Sequence, residues 1–225
     1  MADLVIEPGK SKLSLWRQIA EGSASKISLA SGAWEAIERS RRTVETALAS
    51  GETIYGVNTG FGKLATTRIP ESDLKRLQRN LVLSHATGVG VALPDGVVRL
   101  VIALKISSLA RGHSGVRRVV VERLLDLLNK NILPEIPAQG SVGASGDLAP
   151  LAHMSCVLIG EGFAHVNGER VSGGEALKRA GLMPLVLEAK EGLALLNGTQ
   201  VSTALALVGL FGAEANLEAA FIAGA

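Results

Sequence analysis

Residues 140–150 read Gly140-Ser141-Val142-Gly143-Ala144-Ser145-Gly146-Asp147-Leu148-Ala149-Pro150, and the reading of this stretch decides the fold. Its first half is small and glycine-rich and predicts a loop. Its second half opens an apolar run to Ile159 that predicts a helix. Two ordinary readings suit it. Asp147 can be an N-cap with Pro150 in the first turn, leaving Gly140, Gly143 and Gly146 as turn formers. Glycines before a helix also suit a phosphate, but the Gly-Lys-Ser/Thr ending is missing and Asp147 would repel the anion. The third reading is chemical. In a tight bend the Gly146 amide nitrogen reaches the Ala144 carbonyl carbon and closes a five-membered ring, helped by the absence of a Cβ at Gly146. Loss of water from the ring, then of the Ser145 hydroxyl by β-elimination, leaves an exocyclic methylene conjugated to a carbonyl. That product is a strong electrophile made without an external cofactor.

Working outward, Tyr55-Gly56-Val57-Asn58-Thr59-Gly60-Phe61-Gly62-Lys63 is a second glycine-rich loop. It is not a phosphate loop, because Val57 stands where glycine is required and Leu64 replaces Ser or Thr. Tyr55 is the chain's only tyrosine, and composition alone makes it a half-buried anchor. Pro70-Glu71-Ser72-Asp73 starts a helix with acidic residues in its first turn. Leu74, Leu77 and Leu81 form its apolar stripe, and His85 falls on the same side, an ordinary place for a core histidine. Downstream, Lys190-Glu191-Gly192-Leu193-Ala194-Leu195-Leu196-Asn197-Gly198-Thr199-Gln200 predicts a helix-start turn with Asn197 as cap. Residues 199–225 carry only Glu214 and Glu218 as charges, which predicts a buried bundle helix. Interspersed polar and glycine residues argue against a membrane span.

Elsewhere the periodicity is mostly helical. A short amphipathic turn from Leu13 ends near Gly22. A helix over 33–50 has Ser31 as cap, Trp34, Ile37, Val44 and Leu48 buried, and Arg39, Arg41 and Arg42 solvated. Further helices are expected over 94–110, over 116–129 with Ser114 as cap, and over 175–180. Asn167-Gly168 signals a hairpin, and 183–187 reads as a strand. With 47% hydrophobic residues but 3% aromatic, the core is built of Leu, Val and Ala and the class is mainly α. Dispersed charges summing to +2 point away from nucleic acid and membrane surfaces. The single cysteine, Cys156, excludes an internal disulfide, fits a reducing cytoplasm and reads as inert packing. The N-terminus lacks the basic and apolar regions of a signal peptide. His113, His153 and His165 show no metal spacing, and no metal is expected.

Four strings taken together change the weight of these readings. Gly140 to His153, Tyr55 to Gly62, Asn80 to Gly90 and Asn197-Gly198-Thr199 closely resemble the aromatic amino acid ammonia-lyases, the histidine-specific members in particular. The resemblance covers essentially the whole chain, with its motifs in the family's order. It implies a mainly α chain with a few short strands: an N-terminal domain over 1–196 bearing the prosthetic-group loop, then the start of a central helical bundle over 197–225. It implies a 4-methylidene-imidazol-5-one formed autocatalytically from Ala144-Ser145-Gly146, with Tyr55 as catalytic base on a mobile loop. His85 would sit at the substrate-selectivity position and orient an imidazole. Asn197 would contact the amine or the prosthetic group, with Asp147 and Gly62 in support. The implied reaction is non-oxidative deamination of L-histidine to trans-urocanate and ammonia by a cytoplasmic homotetramer. Alternatives are a tyrosine ammonia-lyase or aminomutase using the same group, or a non-catalytic helical module. Family members continue into a long helical half bearing a second tyrosine and a carboxylate-binding arginine. Residues 1–225 alone are therefore expected to be inactive.

Overall fold

A computed structural model describes residues 2–51, 53–59 and 69–224. A strongly apolar run makes the central helix. Asp95–Leu109, α4 in chain order, buries Val97, Leu100, Val101, Ile102 and Ile106 around its whole circumference. Three helices cover it: α1 (Leu13–Glu21), α5 (Arg118–Asn129) and α9 (Gln200–Gly224). Such all-round burial explains why this run shows no clean polar stripe.

Helix α1 stops where expected, at Gly22, whose φ of 68° is left-handed backbone that glycine accepts without strain. The flanking strands β1 (Ala2–Ile6) and β2 (Ala24–Leu29) pair in parallel through α1 as crossover, Ile6 opposite Leu29. The sequence reading did not anticipate them. Helix α2 (Ser31–Ala49) begins at Ser31 itself; Ala30 holds the cap position and no side chain caps it. Ile37 and Val44 are buried as expected, but Arg41 is not on a solvated face: Glu45 and Glu188 bind it, each at 2.8 Å.

Helix α3 (Glu71–His85) leads into β3 (Val89–Ala92), which pairs antiparallel with β5 (Pro137–Gln139). Strands β4 (Ile132–Pro134), β6 (Phe163–Val166) and β7 (Glu169–Ser172) form a three-stranded antiparallel sheet. The β6–β7 hairpin turns at Asn167 and Gly168, with φ of 53° and 81°, as an Asn-Gly pair favours. Helix α6 (Leu148–Leu158) follows the glycine loop. Two short helices, α7 (Gly173–Arg179) and α8 (Glu191–Leu196), precede α9.

Two local expectations need correction. Ser114 caps nothing, since α5 starts at Arg118 and the Ser114 carbonyl instead accepts from Lys190. Residues 183–187 form no strand: Pro184 removes a donor, and the segment is tied by isolated bonds, Leu185 N–H to Leu158 O at 2.8 Å, Arg117 to Val186 O at 2.7 Å and Arg123 to Met183 O. Helix α9 is long and apolar, as expected for the start of a bundle, and the other described residues cover only part of it. Gln200, Val201, Ala204 and Phe211 are buried, while Leu210, Leu217, Phe221 and Ile222 face outward. Its length and apolar composition would suffice to cross a membrane. At mid-helix, however, Glu214 pairs with Arg17, and the Arg17 guanidinium lies 4.4 Å from the centroid of the Phe211 ring.

Candidate active site

The glycine loop is fixed at its far end by Asp147. This residue is 1% exposed, and its carboxylate does not cap α6. It accepts instead from Ser141 Oγ at 2.9 Å, Ser202 Oγ at 2.7 Å and Ser202 N–H at 2.8 Å. Three donors satisfy a buried carboxylate and tie the loop to the first turn of α9. The Asp147 N–H donates to Gly198 O at 2.8 Å, and a parallel bridge joins Gly146 to Gly198. The two backbones nearly touch. A Cβ on Gly146 would lie 2.9 Å from the Gly198 carbonyl carbon and 3.0 Å from its nitrogen, so only glycine fits.

The bend at the tripeptide is tight. Ser145 has φ of 62° and Gly146 of 100°, successive left-handed residues of which the first is not glycine. Holding Ser145 there costs of order 1–3 kcal/mol, offset by the contacts at Gly146 and Asp147. Ala144 and Ser145 are exposed on the outer side of the bend. Small residues, a strained turn and a nitrogen without a neighbouring Cβ are what cyclisation of Ala144-Ser145-Gly146 requires. The residues present thus fit the prosthetic group.

Gly198 is positioned from below. Asn197 is the C-cap of α8 and its side-chain amide donates to Leu193 O at 3.2 Å, so it closes α8 rather than starting α9. The start of α8 is held by two buried polar residues. Gln78 Oε1 accepts from Gly192 N–H at 2.9 Å, and Glu191 receives Arg117 through Nε at 2.8 Å and Nη2 at 2.7 Å. That pairing raises the Arg117 pKa further. Beneath Asn197, Lys105 of α4 is 1% exposed and donates to the Asn197 carbonyl at 2.7 Å, with Gln200 Oε1 at 3.5 Å. Burial pulls its pKa down to about 7.

His85 ends α3, half-buried. Its Nδ1 lies 2.8 Å from Leu81 O, and a carbonyl only accepts, so Nδ1 carries the proton in the neutral ring and Nε2 is left as an acceptor. The chain after it runs to the glycine loop. Gly88 packs so closely on Gly140 that a Cβ on Gly140 would lie 2.9 Å from Gly88 Cα. The Gly88 N–H donates to His153 Nε2 of α6 at 3.0 Å. His153 must be unprotonated at that nitrogen, in keeping with a pKa lowered by burial.

Tyr55 belongs to another part of the structure. Its turn is closed by Ile54 N–H to Asn58 Oδ1 at 2.7 Å and Gly56 N–H to Thr59 Oγ1 at 3.2 Å. Val57 anchors it in a small cluster with Val44, Leu74 and Ala189, while Tyr55 is 58% exposed. Gly62 lies outside the described residues. The contacts thus unite Ala144–Gly146, Asp147 and Asn197 along one seam and bring the chain after His85 to its edge; the Tyr55 turn is anchored elsewhere. Lys105, Ser202 and His153 were missed. Lys105 left only a weak signal, a cation inside an apolar helical run that also carries Arg99.

The family model for aromatic amino acid lyases matches residues 12–225. The chain is 57% identical over 224 residues to the histidine ammonia-lyase of Paracidovorax citrulli (strain AAC00-1), covering 100% of this chain and 44% of that protein. It resembles the crystal structure of histidine ammonia-lyase from Trypanosoma cruzi with a TM-score of 0.85 and 35% identity, over 91% of this chain and 40% of that one. It also resembles the tyrosine aminomutase of Streptomyces globisporus, with a TM-score of 0.84 and 36% identity over 92% and 38% of the two chains. The chain spans less than half the length of the curated relative it matches.

Proposed function

Because the chain belongs to the aromatic amino acid lyase family, we propose that it forms the N-terminal part of an enzyme that deaminates L-histidine to trans-urocanate and ammonia. The observation that carries this reading is the strained Ser145-Gly146 turn pressed onto Gly198, a geometry with no evident use except ring closure. Ammonia is a poor leaving group and the β-hydrogen is weakly acidic. The methylidene-imidazolone derived from Ala144-Ser145-Gly146 supplies an electrophile that makes the amine a better leaving group.

The chain's own residues do the rest. Tyr55 removes the β-proton, which requires its turn to meet the seam in the assembled enzyme. His85 Nε2, an acceptor because Nδ1–H is committed to Leu81 O, takes the N–H of the substrate imidazole. Asn197 contacts the substrate amine or the ring, Asp147 holds the bend, and Gly62 shapes the tyrosine loop. The N-terminus of α6 favours negative charge developing beside the loop. Residues 1–196 act as the domain bearing this loop and 197–225 as the first part of a helical bundle. The enzyme is cytoplasmic and assembles as a homotetramer, which covers the outward apolar face of α9 and supplies the carboxylate-binding arginine.

The likeness to a tyrosine aminomutase supports a second reading, rearrangement of an aromatic α-amino acid by the same group. The 57% identity to a histidine ammonia-lyase favours the first. The deciding assay gives the natural full-length protein L-histidine and L-tyrosine separately. Urocanate absorbance from histidine supports deamination of histidine. A β-amino acid or coumarate from tyrosine, without urocanate, overturns it.

A further inference from the structure

Lys105 is a cation buried in the central helix of the core, and both of its acceptors are neutral oxygens, Asn197 O at 2.7 Å and Gln200 Oε1 at 3.5 Å. For packing alone this is a poor choice. Burying an ammonium without a carboxylate is costly, and an apolar side chain of similar volume serves a core at least as well. What lysine adds is one fixed point at the end of a long arm. That point is the carbonyl of the C-cap of α8, among the groups a helix end leaves without an internal partner. The peptide plane it orients joins Asn197 to Gly198. Gly198 then meets the end of the reacting tripeptide in the bridge to Gly146, where its carbonyl takes the adjoining Asp147 N–H at 2.8 Å.

We propose that Lys105 is a positioning residue for ring closure: by holding the Asn197–Gly198 peptide plane from inside the core, it presses Gly198 against Gly146 and keeps the Ser145-Gly146 bend closed. Neither its ammonium nor its amine touches the substrate or the ring. A shift of the 197–198 plane relaxes the bend, and the Gly146 nitrogen then withdraws from the Ala144 carbonyl carbon. The inference rests on the cyclisation of Ala144-Ser145-Gly146 proposed above.

The test is peptide mass spectrometry on the natural full-length protein, scoring what fraction of the folded, soluble product has lost two waters at the Ser145 peptide. Lys105→Met removes the donor at nearly constant volume and should lower that fraction by about fivefold or more, the scale expected when one partner of a buried hydrogen bond is removed. Lys105→Arg keeps a donor and should recover most of it. A Lys105→Met protein that melts like wild type and is fully dehydrated overturns the proposal. Should Lys105→Met be insoluble, Lys105→Gln decides. Its amide ends one bond short of Asn197 O, so folded protein with partial dehydration supports the proposal and full dehydration overturns it. If wild type itself shows no loss of water, the cyclisation reading fails, independently of Lys105.

Discussion

The seam around Ser145 and the turn that carries Tyr55 are two halves of one expected site, but they are held differently. The seam is tied by backbone contacts between Gly146 and Gly198, by three donors on Asp147, and from below by Lys105. The Tyr55 turn is closed by local hydrogen bonds, is joined to Ile69 by the Ile69 N–H to Asn58 O bond at 2.8 Å, and packs Val57 against Val44, Leu74 and Ala189, with the phenol 58% exposed. Under the proposed function the difference has a reason. Cyclisation would be intramolecular and would need a bend that does not relax, which the backbone contacts to Gly198 provide. Proton removal by Tyr55 would need the phenol within reach of bound substrate, and its exposure on the turn leaves it open to that.

Substitutions can break this contrast at either side. Ser145→Ala should abolish urocanate formation by the full-length protein and leave its melting temperature unchanged, because Ser145 is exposed and the bend is held by its neighbours. A large drop in melting temperature would mean that Ser145 itself holds the seam. Tyr55→Phe should keep the two-water loss and the stability while lowering kcat by about 10²–10⁴, the range for removing a general base; an unchanged kcat would remove Tyr55 from the chemistry. Asp147→Ala should destabilise by about 1–3 kcal/mol, mainly through the Ser202 N–H left without its acceptor, since the two serine hydroxyls can turn to water. Urea unfolding reads this directly, and a negligible change would show that the seam does not depend on the carboxylate. His85→Phe should weaken histidine turnover by about 1–3 kcal/mol of transition-state binding, with assembly intact; equal turnover would assign selectivity elsewhere.

The smallest effect concerns pH. The pKa of His153 is lowered in the fold from 6.5 by burial, so the unfolded chain binds the proton more readily. Its contribution to stability is present above about pH 6.5 and is lost as pH falls through the lowered folded value. His153→Gln, which can still accept from Gly88 N–H, should flatten the urea midpoint between about pH 7 and about pH 5 relative to wild type. An identical slope in both proteins would place the pH sensitivity elsewhere.

Much of the fold was legible because it rests on local pattern. The apolar run of α4, the Leu74–Leu81 stripe of α3 and the Asn167-Gly168 turn all stand where the sequence put them. The parallel β1–β2 pair was not legible, since its partner strand lies beyond α1 and parallel pairing has no local turn signal. Ser31 and Ser114 have capping chemistry, but α2 already begins at Ser31 with Ala30 in the cap position, and α5 begins only at Arg118. Composition marked α9 as a helix in need of partners, and the described residues cover only part of it. Of the site, the 140–150 string, Tyr55, His85 and Asn197 stood out by motif. Lys105 and Ser202 did not, because their roles exist only once α4 and α9 are packed beneath the loop.

The central claim is that this chain makes its own electrophile, and the mass of the Ser145 peptide tests it most directly. Folded natural full-length protein, digested without reducing agents that could add to the methylene, should yield the peptide spanning Ala144-Ser145-Gly146 lighter by two waters. The same peptide at its full, unmodified mass, in protein shown to be correctly folded, would contradict the account.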